Sequence, residues 1–142
     1  SFLDSNYGYD DSSRHGDKLI EWLHRNPDHV LNAIAYDDRN IVLNGKRVVG
    51  PDGGTFRATH RMLDRLQKEI HFSFRQDSTI QRYAGLNNQI EVLIHTNPDT
   101  LILHTILVEK NGFLHAVTAG SPQEKDVGIF FGPRAYEKWI QP

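Results

Sequence analysis

Apolar residues recur along this chain with two periods, one near 3.6 and one of 2, and the switches between them predict its elements. Within residues 17–25, Leu19, Trp22 and Leu23 stand at i, i+3 and i+4, the stripe of a short amphipathic helix. Asn26-Pro27-Asp28 then offers a capping asparagine, a proline suited to the first helical position and an acid in the first turn. That predicts a second helix to about Tyr36, burying Val30, Leu31 and Ile34. Residues 41–49 hold two apolar runs around Asn44-Gly45, the signature of a tight hairpin. Residues 50–54 are a Gly/Pro loop that matches no phosphate-binding fingerprint, and Thr55 stands where the cap of a helix belongs. The longest helix is expected over residues 56–70, with Phe56, Thr59, Leu63, Leu66 and Ile70 as its buried stripe. Residues 71–75 alternate as a short strand, Asp77 or Ser78 starts one or two helical turns ending near Gly85, and residues 90–95 make a further strand.

The strongest signal lies in residues 101–119, where two aliphatic runs flank Asn111-Gly112 and predict a central hairpin. Alternation in that hairpin puts His104, Ile106, Val108, His115 and Val117 on one face and sets Thr105 opposite Thr118. One more strand is expected at residues 127–131 and a terminal helical turn at 134–140, docked by Tyr136, Trp139 and Ile140. Trp22 and Trp139 are expected in the core. Residues 1–13 form an arm that either packs by Phe2, Tyr7 and Tyr9 or stays loose, and residues 14–142 form one domain. Strands and helices do not alternate regularly. The expectation is therefore an α+β fold, with N-terminal helices and one long helix packed on a mostly antiparallel sheet of five to seven strands.

Composition narrows the chemistry. The chain has 142 residues, the size of one ordinary domain, and no apolar run approaches a membrane span, so a membrane is not expected among its partners. Its formal net charge of -2 gives no bulk attraction for nucleic acid, and any RNA contact needs a local patch. The absence of cysteine excludes thiol nucleophiles, zinc–thiolate sites and disulfides, while leaving the compartment open. Eight histidines remain the unusual feature. They form no HExxH, His24 and His29 fall on different predicted helices, and His104 and His115 share a face without standing opposite. Neither a metal nor another cofactor is expected. No GxSxG is present, and the carboxylates fall mostly in caps and turns.

These residues suit RNA cleavage without a metal. Such a reaction needs a base for the 2′-OH, an acid for the leaving oxygen and donors for the phosphorane charge, all of which His, Arg and Thr can supply. The segment RHGDKLIEWLHRNPDHVLNAI is similar to the N-terminal part of small bacterial and phage RNase toxins of the barnase–EndoU–colicin–RelE-like group. FLHAVTA resembles the strand on which that group carries a catalytic Thr or Ser. The chain departs from the group in its slight acidity and in Gly120, where an aromatic residue is usual. The resemblance implies a toxin-type endoribonuclease acting by 2′-OH transesterification. His15 would be the acid or base, Arg14 and Thr118 its electrostatic partners and His115 the second choice. It also implies RNA and an inhibitory (immunity) protein as partners.

Arg57, Arg61, Arg65 and Lys68, on one face of the long helix, are candidates to dock the RNA backbone. Two other classes stay open. One is a non-catalytic assembly module of a viral or effector protein, using its histidines and Tyr7 and Tyr9 as contacts. The other is a small-molecule enzyme with a pocket at His104 and His115.

Overall fold

Phe2–Leu3 open the chain as strand β1, beside β2 (Leu31–Tyr36) and parallel to it. The computed structural model describes residues 2–104, 112–118 and 121–132. Between these strands lies α1 (His15–Arg25). After β2 come a small hairpin, β3 (Val42–Leu43) and β4 (Lys46–Arg47), and then α2 (Thr55–Leu66). Strands β5 (Phe72–Gln76), β6 (Ile80–Gly85) and β7 (Ile90–His95) follow, then α3 (Gly112–Thr118) and α4 (Glu124–Phe131). The main sheet has five strands in the order β1-β2-β7-β6-β5, and β3-β4 form a second sheet. Pairs β1–β2 and β2–β7 are parallel; β7–β6 and β6–β5 are antiparallel. The architecture is α+β, and its sheet is mixed.

The segment after Pro27 is a strand and not a second helix. All six residues of β2 are buried, because the strand lies between two parallel neighbours in the sheet. A strand covered on both faces is apolar throughout, and a run that short fits helical spacing equally well. Asn26 does not cap a helix either: its Oδ1 accepts from Asp28 N at 2.9 Å and its carbonyl from His29 N at 3.0 Å, closing a turn. Residues 80–85 correct the expected helical turns in the same way. Asp77 Oδ1 accepts from Thr79 N at 2.9 Å and Ile80 N at 2.8 Å, a cap-like pattern that here closes the β5–β6 hairpin.

The predicted central hairpin is not what forms. Its second arm is helix α3, with Gly112 and His115 buried while Phe113 and Val117 are exposed; residues 105–111 lie outside the described residues. The expected strand at 127–131 belongs to helix α4, which starts with Glu124 and Asp126 in its first turn, where acids suit the helix dipole. Residues 134–140, with Trp139, lie outside the described residues. The hairpin at Asn44-Gly45 forms as expected, with φ of 51° and 76° at its two turn residues. Trp22 is partly exposed and stacks on His29, ring centroids 4.3 Å apart.

Helices α1 and α2 share one face of the sheet. Ile20, Leu23, Ala58, Met62, Leu63, Leu66 and Ile70 pack there on Leu31 and Ala33 of β2 and on Ile90, Val92 and Ile94 of β7. On β2 the i, i+2 register sends Ile34 and Tyr36 to the other face, where Tyr36 meets Ile41 and Leu103. Gly16 lets α1 close on α2: a Cβ there would stand 2.3 Å from Arg65 Cγ.

The N-terminal segment packs on this body through Tyr9, and Asn6 Nδ2 donates to Thr59 Oγ1 at 2.6 Å. Asp10 then gathers the backbone N–H and hydroxyl groups of Ser12 and Ser13, which lower its pKa to about 2. A depressed carboxyl stabilises the fold above its unfolded value, near 3.9, and loses that contribution as pH falls toward 2. Carboxyl-detected NMR titration should give about 2 for Asp10; an ordinary aspartate value would show that the turn does not hold. No described helix is long and apolar enough to cross a membrane.

Candidate active site at the carboxyl ends of the parallel strands

Strands β1, β2 and β7 run in the same direction, and their carboxyl ends deliver Asp4, then Asp37 and Asp38, then Asn97 to one edge of the sheet. Ligands of parallel sheets bind outside that edge. Backbone bonds from Asp4 N to Ile34 O (2.7 Å) and from Asp37 N to His95 O (2.8 Å) extend the ladders to the edge and fix these residues there.

Asp4 follows β1, the outermost of these three strands. Its side chain is 2% exposed, and its Oδ2 bonds Nδ1 of His104, whose own side chain is 58% exposed. Burial pushes the Asp4 carboxyl above the usual range, and the charge of Asp38 adds to that, while the Thr55 hydroxyl and His104 pull it back. Asp4 Oδ1 has no hydrogen-bond partner among the described residues, and the Thr55 hydroxyl donates to Asp38 Oδ2 at 3.4 Å. Tyr36 is raised to about 12 by burial, with smaller effects from the Asp4 and Asp38 charges.

The other groups at the edge hold the framework. Asp38 caps α2, accepting from Thr55 N at 2.7 Å and Phe56 N at 3.4 Å, so the cap comes from across the fold and not from Thr55. Gly54, at φ 90°, makes room for it: a Cβ there would lie 2.5 Å from both Asp38 carboxylate oxygens. Asp37 receives Arg39 Nε at 2.9 Å and an Arg39 amino group at 2.6 Å. Burial opposes its ionisation, but the Arg39 bonds outweigh it and hold its pKa below the usual range. Arg39 also lies 3.8 Å over the Phe56 ring. Asn97 ties the next loop to β2, donating to Asp37 O at 2.9 Å and Leu101 O at 3.0 Å and accepting from Leu101 N at 3.0 Å. With Leu103 anchored on Tyr36, this clasp brings His104 to Asp4.

The residues singled out from the sequence lie elsewhere. His15 begins α1, its Nδ1 accepting from Asp10 N at 3.1 Å, and Arg14 beside it pairs with Asp17 at 2.9 Å. Thr118 is on α3 and donates to Leu114 O at 2.8 Å within its own helix. His115, also on α3, is buried with Nε2 2.8 Å from Gly132 O and Nδ1 without a hydrogen-bond partner among the described residues. No hydrogen bond among the described residues joins the His15–Arg14 pair to Thr118 or His115.

The basic face of α2 is largely turned to structural use. Arg57 donates to Gly50 O and Gly53 O, Arg61 to Asp52 O and Tyr9 O, and Arg65 to Asp17 and Glu69. Lys68 lies exposed in the turn after α2. Asp4, Asp38 and Asn97 were not legible as site residues. Their signal is a polar residue one or two positions past a strand, and for Asp38 it appears only once residues 31–36 are read as a strand.

Among the described residues, no three His, Asp or Glu side chains converge as metal ligands. Comparison with protein-family models, with curated proteins and with solved structures gives no match.

Proposed function

We propose that this protein is an acid–base enzyme for a neutral or cationic small molecule, with His104 as its proton-transferring group and Asp4 as the residue that positions it. One observation carries the reading: an exposed imidazole seated on a carboxylate that is almost wholly buried. Burying a carboxylate is costly, and the fold does not need one at the end of β1. With Asp4 ionised, Nδ1 of His104 donates to it. The lone pair then lies on Nε2, the nitrogen that can reach substrate. Nε2 takes a proton from water or a substrate hydroxyl, Asp4 stabilises the imidazolium, and the proton passes on to the leaving group. General acid–base transfer of this kind contributes roughly 10²–10⁴ in rate.

The charge balance supports the substrate class. Asp4, Asp37 and Asp38 crowd the edge, and Arg39 is already paired with Asp37. A polyanion gains little there, so RNA ranks behind a small neutral or cationic substrate.

Carbethoxylation with diethyl pyrocarbonate, mapped by mass spectrometry, tests the pair without knowledge of the substrate. His104 should react several-fold faster than His24 or His15. A rate no higher than theirs defeats the proposal. Total RNA in excess EDTA supplies a second arm. Cleavage lost in His15→Ala but kept in His104→Gln would put the chemistry at His15 on RNA instead.

A further inference from the structure

A separate cavity of about 340 Å³ lies between the N-terminal segment and α1, walled by Phe2, Gly8, Tyr9 and Leu19, with Ser5, His15 and Lys18 among its polar lining. We propose that it binds a small aromatic monoanion, a one- or two-ring body carrying one carboxylate. The proposal does not depend on the chemistry assigned to His104.

Size, walls and charge agree on this occupant. The volume falls in the range of small-ligand sites, and such sites combine apolar walls with a few placed polar groups. Tyr9 offers only its ring, because its hydroxyl is held by Asp11 Oδ1 at 2.7 Å. Asn6 also lines the cavity, but its amide donates to Thr59 and its Oδ1 is shut away from solvent. The functional groups left are the Lys18 cation, the His15 ring and the Ser5 hydroxyl. Lys18 has no carboxylate within 4.0 Å among the described residues. His15 Nδ1 accepts from Asp10 N, which places the proton of the neutral ring on Nε2.

Of the nearby acids, Asp17 is held by Arg14 and Arg65, and Asp10 by two serines and their amides. Asp11 holds Tyr9, and Glu21 pairs with Arg25. One anionic head is what Lys18 and His15 complement. The void is also not forced by the fold: a Cβ on Gly8 would meet nothing within 4 Å, and its backbone is not left-handed.

Gly8→Leu therefore adds an apolar side chain to the cavity lining without a clash. The test uses 1-naphthoate, the neutral isostere 1-naphthalenemethanol and AMP, followed by NMR shifts of the Phe2–Leu19 amides. Naphthoate should bind with a Kd on the order of 0.1–1 mM, as its atom count allows. The alcohol and the Lys18→Gln variant should each weaken binding by about tenfold, the worth of one charge-assisted bond. Gly8→Leu should abolish it, and its thermal unfolding midpoint reports folding. Undiminished binding in Gly8→Leu or in Lys18→Gln overturns the site. Tighter binding of AMP than of naphthoate overturns the ligand class in favour of nucleotides.

Discussion

Truncating Leu66 to alanine should lower the unfolding free energy by about 3 kcal/mol, within the roughly 2–5 kcal/mol range of buried leucine truncations. Leu66 ends α2 and is fully buried in the cluster that also holds Ile20 and Leu23 of α1, Leu31 of β2 and Ile90 and Val92 of β7. Removing its side chain opens a space in the cluster that both helices share with β2 and β7, and close-packed neighbours collapse only partly into it. Urea unfolding should show a lower midpoint with an unchanged slope. The control is Val42→Ala in the exposed β3–β4 hairpin, where a change within about 0.5 kcal/mol is expected. A loss under about 1 kcal/mol at Leu66 would mean that α2 does not close on the sheet as described.

The helical stripes survived because they have one physical meaning, whereas Asn-Gly turned a hairpin at residues 44–45 but not at 111–112, where Gly112 begins α3. In α1 and α2, apolar residues recur over three turns at 3–4 spacing, and only a helix buries such a stripe. At Asn44-Gly45 both turn residues take positive φ, which that dipeptide accepts at low cost. The patterns that failed serve two structures. Asn26 and Asp77 each accept backbone N–H groups from just downstream, and both helix caps and tight turns do that. Short apolar runs such as 31–36 and 127–131 carry no period of their own, and their neighbours in space decide them. Neighbours made the first a buried strand, while the second is a helix with Ile129 and Phe130 exposed.

The candidate site depended on the same ambiguity. Once β2 is a strand parallel to β1 and β7, the residues after all three must meet on one edge, and Asp4, Asp38 and Asn97 become neighbours by topology. His104 was visible as a candidate, but its partner was not, since they lie a hundred residues apart and meet only through the Asn97 clasp. His15 and Arg14 were candidates through the resemblance of their segment to RNase toxins. The fold turns Arg14 toward Asp17 and gives His15 to the cavity under the N-terminal segment.

Asp4→Asn should move stability and reactivity in opposite directions. Burial, the main influence, raises the Asp4 carboxyl in the folded state. Between the unfolded value near 3.9 and the raised folded value, the native state therefore binds more proton than the unfolded chain, and stability falls as pH rises through that window. An asparagine carries no charge to desolvate. At pH 7 the variant should be more stable than the parent, by roughly 0.5–2 kcal/mol, the usual gain when a strained functional residue is relieved. The two should converge below about pH 4, where Asp4 is protonated in both states. The same substitution takes the carboxylate from His104 Nδ1, and carbethoxylation at His104 should fall to the rate of the other exposed histidines. If the pair were only a structural tie, Asp4→Asn would lower stability at neutral pH. A gain in stability with a loss of imidazole reactivity is the outcome that only a positioning role for Asp4 produces.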